Sequence, residues 1–279
     1  MTRIQQATRF ALILLLVAGL AGCKTISGWF GGDKEDPTET LPVEQMYAEA
    51  HASMSGGNFN RAAQYYQRLV ARFPYGPYTE QAQLELAYSQ YKLNRPEEAT
   101  ATIDRFIRTY PTHRHIDYAY YLKALVNFER GSGMLLRMAR QDLASRDLGA
   151  TQQSLNDFAE VVRRYPNSRY APDARQRMIF LRNRLARYEL KVGLYYLRRG
   201  AWLAAANRGK YILQQYPQSE HEGDALALMA EAYTRLGQGP LADDARQVLQ
   251  LNYPEHPYLA GNWPEGRGLL GKLNPFGSK

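Results

Sequence analysis

Cysteine is nearly missing from this chain. Cys23 is the only one among 279 residues, so no intramolecular disulfide can form and the fold must be held by packing. The patterns of common catalytic and nucleotide sites are also absent: there is no Gly-x-Ser-x-Gly, no His-Glu-x-x-His and no phosphate-cradling Gly-Lys-Ser/Thr. Histidine is scarce. His113 and His115, beside Asp117, offer two ligands without a fixed third, which reads as turn chemistry rather than a metal site. No metal, no cofactor and no enzymatic activity are expected. Long apolar runs are lacking too: Phe10 to Leu20 is too short for a helix crossing a bilayer core of ~30 Å.

That short run has another reading. Arg3 and Arg9 give it a basic start, and Ala21 and Gly22 are the small residues a signal peptidase requires. Leu20-Ala21-Gly22-Cys23 resembles a bacterial lipoprotein box. The resemblance implies that residues 1–22 are removed and that Cys23 carries a thioether-linked diacylglycerol and an amide-linked acyl chain. Several acyl chains on one residue make a stable anchor. Lys24, where Asp would favour inner-membrane retention, implies the outer membrane. Ordinary secretion with an incidental cysteine is the alternative. Residues 23–41 lack an apolar period and are expected to form a flexible spacer.

What the chain has in quantity is punctuation. Phe73-Pro74, Tyr110-Pro111, Tyr165-Pro166, Tyr216-Pro217 and Tyr253-Pro254 recur, with prolines 37, 55, 51 and 37 residues apart. Proline stops a helix, because it has no N–H and clashes with the preceding turn. Upstream lies a second mark: Gly57-Asn58, Asn94-Arg95-Pro96, Gly200-Ala201 and Gly237-Gln238, each followed by Ala at a close-packing position. The predicted fold class is all-α: a tetratricopeptide-like helical hairpin solenoid of five units, at about 42–74, 78–111, 115–166, 170–217 and 219–254. Unit three carries an insertion, 130–150. Residues 255–279, rich in Gly and Pro, are expected to form a flexible tail, with Tyr258, Trp263, Leu269, Leu270 and Phe276 as candidate docking anchors.

Unit four holds a long helix starting near Asp173. Met178, Leu181, Leu185, Tyr188, Val192 and Tyr195 form its apolar seam, read as core. On another face Arg177, Arg184, Lys191 and Arg198 repeat every seven residues, a stripe drifting ~20° per heptad. Residues 173–199 hold eight Lys/Arg against two Asp/Glu, a balance of +6. That equals the excess of the chain without Arg3 and Arg9 (33 − 27), so the stripe is either a docking strip for an acidic partner or lipid headgroups, or a solvated face with local ion pairs. Nucleic acid is not expected as a partner, because the compartment is wrong and no matching motif occurs.

Several segments together are more specific than the repeat. Arg72-Phe73-Pro74-Tyr75-Gly76-Pro77-Tyr78, Ile103-Asp104-Arg105-Phe106-Ile107-Arg108, Pro111-Thr112-His113, Tyr165-Pro166-Asn167-Ser168, Arg199-Gly200-Ala201-Trp202 and Asn207-Arg208 closely resemble the BamD (ComL) family of outer-membrane lipoproteins. The resemblance implies a non-enzymatic component of the outer-membrane β-barrel assembly (Bam) complex on the periplasmic face. It implies that repeats at 42–166 receive the carboxy-terminal signal of unfolded β-barrel proteins, and that repeats at 167–254 dock the periplasmic domains of BamA. Other Bam lipoproteins are implied partners. Phe73, Tyr75 and Tyr78 would supply apolar area, and Arg72, Arg105 and Arg108 would supply charge for a carboxylate. Arg208 is the expected interface arginine, with a surface salt bridge as its alternative. Phe73 stands where the family commonly has Tyr, so a role that needs a hydroxyl there does not carry over to this chain. The alternative function is a periplasmic repeat lipoprotein that organises peptidoglycan synthesis.

Overall fold

A computed structural model describes residues 40–130 and 148–263. Among these residues there are ten helices and no strand: α1 (Val43–Ser55), α2 (Phe59–Arg72), α3 (Pro77–Lys92), α4 (Pro96–Thr109), α5 (Ile116–Arg130), α6 (Leu148–Arg164), α7 (Ala171–Arg198), α8 (Trp202–Gln215), α9 (Glu222–Arg235) and α10 (Gly239–Asn252). Taken in pairs they match the five expected units. Residues 1–39, which hold Cys23 and most of the spacer, lie outside the described residues, as do 131–147 of the insertion and 264–279 of the tail.

The two punctuation marks have distinct physical roles. Gly57, Asn94, Gly200 and Gly237 occupy the left-handed region, with φ of 80°, 55°, 75° and 72°, and each turns the chain from the first helix of a hairpin into the second. Asn is the side chain that tolerates this region best. Helices α2, α4, α6, α8 and α10 end at Arg72, Thr109, Arg164, Gln215 and Asn252, each two residues before its proline. The residue between leaves the helical region, as Phe73, Tyr110, Tyr216 and Tyr253 do with φ between −123° and −137°.

The chain divides into two compact units between Glu85 and Leu86, inside α3. This differs from the expected grouping of 42–166 and 167–254. In the first unit, Met46 and Ala50 of α1 and Ala62, Tyr66 and Leu69 of α2 are wholly buried. In the second, α4 packs on α5, and each later helix packs on its predecessor. Such a succession buries in the next hairpin what one hairpin alone would expose. One core joins Tyr121, Ala124, Phe158, Val161, Ala174 and Leu181, spanning α5 to α7. Another joins α7, α8 and α9 around Leu185, Ala205, Ile212 and Leu228. Helix α9 buries Ala225, Leu226, Ala227 and Leu228 in succession, as a helix covered on most sides must.

Two glycines set the spacing of α7, α8 and α9. A Cβ on Gly209 would lie 2.7 Å from the Ala225 carbonyl oxygen, and one on Gly193 would lie 2.3 Å from Leu228 Cδ2. At Gly209 the clash is with backbone, so α8 passes α9 at a distance only glycine permits, whereas at Gly193 a side-chain end is what must give way.

Candidate functional site

The segment Phe73 to Tyr78 comprises the loop that joins α2 to α3 and the first two residues of α3, in the first unit. Pro74 ends one helix and Pro77 opens the next, so the loop cannot become helical. Thr79, itself buried, closes it: its hydroxyl donates to the Phe73 carbonyl at 2.5 Å and also lies 3.4 Å from the Tyr75 carbonyl. Gly76 takes φ +118°, strained for any other residue. Thus fixed, the loop holds Tyr75 outward with 89% of its surface exposed. Tyr78 is partly exposed and packs 5.4 Å from Tyr47, while Phe73 is half-buried. Arg72 lies over the Phe73 ring at 4.9 Å, and its Nη1 donates to the Leu41 carbonyl at 2.8 Å. Arg72 therefore also pins the end of the spacer to this loop. Arg105 and Arg108 are exposed on α4, in the second unit.

Beneath Tyr78 lies a hub that sequence reading missed. The Glu85 carboxylate accepts hydrogen bonds from Tyr47 at 2.9 Å, from Gln81 at 2.7 Å and from the buried Tyr66 hydroxyl. Burial, and then Glu85, push the Tyr66 phenol well above the ordinary tyrosine range, and Tyr47 is raised for the same reasons. The hub joins residues 38 and 19 positions apart. No local pattern marks it.

The basic stripe of α7 is not uniform. Arg177 is half-buried: it pairs with Asp173 at 2.6 Å and lies over Phe128 at 4.9 Å. Burial works against its charge, but Asp173 outweighs that and raises its pKa. Arg184 is half-buried, and burial lowers its pKa. Lys191 and Arg198 are exposed. Only the second half of the stripe presents its charges outward. On α8, Arg208 Nη1 bonds Glu189 Oε2 of α7 at 2.7 Å, with side-chain exposures of 38% and 12%. Burial opposes the Arg208 charge, and Glu189 more than offsets it.

After α10 the chain turns back. Trp263 Nε1 donates to Asp224 Oδ1 at 2.6 Å, and its ring packs against the cluster of Leu226, Ala227 and Leu249. Residues 255–263 of the expected tail are thus docked on α9 and α10, and Trp263 is an anchor within the chain itself. His221 and His256 flank the same carboxylate at 3.6 and 3.4 Å.

Among the described residues, no group of three His, Cys, Asp or Glu is placed to hold a metal ion, and no helix is long and apolar enough to cross a membrane. His113 lies edge-on to Phe106 at 5.1 Å, and its Nδ1 accepts the His115 backbone N–H at 3.1 Å.

Known proteins point one way. Residues 39–249 match the family described as YfiO, outer membrane lipoprotein. A relative from Xylella fastidiosa, called outer membrane protein assembly factor BamD, is 50% identical over 98% of this chain and 94% of its own. Relatives of the same name from Neisseria meningitidis and Vibrio cholerae are 39% and 36% identical, covering 91% and 84% of this chain and 95% and 97% of theirs. A tetratricopeptide repeat protein from Parabacteroides merdae resembles 79% of this chain across 90% of its own, at 12% identity and a TM-score of 0.36, a likeness that adds nothing to the fold already described. By its match over residues 39–249 and its identity to these relatives across nearly their whole length, this chain belongs to the YfiO family of outer membrane lipoproteins.

Proposed function

We propose that this chain is an assembly factor for outer-membrane β-barrel proteins, tethered to the periplasmic face of the outer membrane by lipid on Cys23. The observation that carries the proposal is the 50% identity, over nearly both full lengths, to a protein named for that role. The fold supports a binding role, since stacked helical hairpins chiefly build interaction surfaces. The loop at 73–78 is the proposed receptor for the unfolded precursor. A barrel signal is an extended, aromatic-rich segment ending in a carboxylate. Tyr75 and Tyr78 offer amphipathic rings at low conformational cost, and Arg72 brings an exposed positive charge beside them. Arg105 and Arg108 are proposed as cationic contacts on the second unit.

Docking to the periplasmic domains of BamA is assigned to α7–α10, with Lys191, Arg198 and Arg208 as its exposed or half-exposed cations and Arg177 and Arg184 as more embedded ones. Other Bam lipoproteins are further proposed partners. No enzymatic step, metal or cofactor is part of the proposal. The test is recovery of the lipidated chain from membranes in mild detergent, probed for a barrel insertase and for cell-wall synthases. Capture of the insertase is expected. Capture of synthases in its place would move the chain to an organiser of peptidoglycan synthesis. Cys23→Ser is expected to lose acyl labelling, and persistent labelling would place the anchor elsewhere.

A further inference from the structure

Helix α10 is the last described helix, and one of its faces is unfinished. Ala242, Ala245 and Leu249 face α9 and are buried. On the flank beside this buried face Leu241, Val248 and Leu251 are 45%, 43% and 74% exposed. With Asp244 they stand at i, i+3, i+7 and i+10, one continuous stripe along the helix. Asp244 has no ion-pair partner among the described residues. The end of a repeat array normally presents a polar outer face. This stripe has instead the pattern of a helix face awaiting cover.

We propose that residues 264–279 of the same chain cover it. They begin at the right place, because the docked Trp263 leaves the chain beside α9 and α10. Their reach fits: 16 residues span roughly 20–24 Å at ~5–6 Å × √n, and 14 helical residues at ~1.5 Å each make α10 about 21 Å long. Their composition fits as well. Leu269, Leu270, Leu273 and Phe276 supply four large apolar side chains for Leu241, Val248 and Leu251. Arg267, Lys272 and Lys279 outnumber the single acid Glu265, and Asp244 with neighbouring Asp243 offers them opposite charge. Asp243 is already shared with Arg246 at 3.0 Å, which leaves Asp244 as the principal counter-charge. The covering segment therefore completes the array as a terminal cap. The proposal does not depend on which partners the chain meets elsewhere.

Limited trypsin digestion of the mature chain tests it, reading cleavage after Arg267 and Lys272. A synthetic peptide of residues 264–279 gives the unprotected rate. In the parent, cleavage is expected to be at least tenfold slower than in the peptide. Leu251→Asp and Asp244→Lys should each bring it to within about threefold of the peptide. Both positions are exposed, so the far-ultraviolet circular dichroism should not change. Should Leu251→Asp disturb the helix, Asp244→Lys still decides, since it alters charge without touching the apolar contacts. Cleavage at the peptide rate in the parent overturns the proposal. So does protection that disappears on dilution, which would make the occupant a second copy, or protection that arises only when a purified barrel insertase is added. Equal cleavage of the parent and both variants overturns it as well.

Discussion

The Arg208–Glu189 pair makes a prediction that separates folding from docking. Glu189 keeps only 12% of its side-chain surface, and Arg208 keeps 38%. Removing the guanidinium leaves a nearly buried carboxylate without its partner. Breaking a fully buried pair costs about 3–5 kcal/mol, and the exposure of Arg208 reduces this to about 1–3 kcal/mol. Arg208→Glu adds a second carboxylate opposite the first. At an effective dielectric of ~20 and a separation of ~6 Å, the repulsion is about 3 kcal/mol, part of which is relieved by rotation into water or by protonation. A total near 3 kcal/mol would lower Tm by about 6–12 °C for a domain of this size. Arg208→Gln combined with Glu189→Gln removes both charges and should cost about 1 kcal/mol, because neither side is left with an unpaired ion. Thermal melts of the parent, Arg208→Gln, Glu189→Gln and the double variant give the coupling, with Arg208→Glu melted alongside them. A melt of Arg208→Glu within about 1 °C of the parent would refute the reasoning. Binding to the insertase should then be measured below every transition. If Arg208 docks a partner, the double Gln variant should be well folded and still bind more weakly.

Other outcomes follow from the same geometry. Gly209→Ala places a methyl group 2.7 Å from the Ala225 carbonyl oxygen, so α8 must move off α9. Overpacking at about 1–3 kcal/mol should exceed the gain of about 1 kcal/mol in helix propensity, and urea unfolding should show a lower midpoint. For Asp224, burial works against ionisation, but His221 and the Trp263 N–H outweigh it and hold the carboxyl below the usual range. A lowered folded-state pKa contributes stability that is present above about pH 4 and is lost as pH falls through the folded value. Trp263 fluorescence should therefore change in that acidic window, and Asp224→Asn should abolish the change. Tyr121, raised mainly by burial, and Tyr253, raised mainly by its bond to Glu222, ionise at about 12 in the fold. Their contribution is complete below pH 10 and is lost as pH rises toward 12, which tyrosinate absorbance and a parallel unfolding probe should both record. Tyr75→Ser should leave stability within about 0.5 kcal/mol, because the side chain touches little, yet reduce photo-cross-linking to an unfolded barrel precursor several-fold.

Much of the fold was legible because its signals are local. A proline two residues past each second helix and a left-handed Gly or Asn between the helices act through backbone sterics alone. The α7 stripe was legible only as a spacing. Seven residues fall slightly short of two full turns, so the row drifts ~20° per heptad around the helix. Over 28 residues the neighbours of α7 also change, from α6 to α8 and α9. Arg177 therefore meets Phe128, Phe158 and Asp173, while Arg198 meets solvent. The loop at 73–78 was singled out by its residues, but its rigidity depends on Thr79, which no motif marked.

The sequence by itself determined the helical class, the ends of the hairpins and the family, because those depend on residue types at fixed short separations. Only the tertiary structure decided which side chains are committed to the fold and which remain presented. Glu85 collects Tyr47 and Tyr66 from two other helices, Glu189 claims Arg208, and Asp224 captures Trp263 from 39 residues away. Each pairing depends on how closely helices pass one another, and that distance is set by the glycines, alanines and buried rings of the whole stack together.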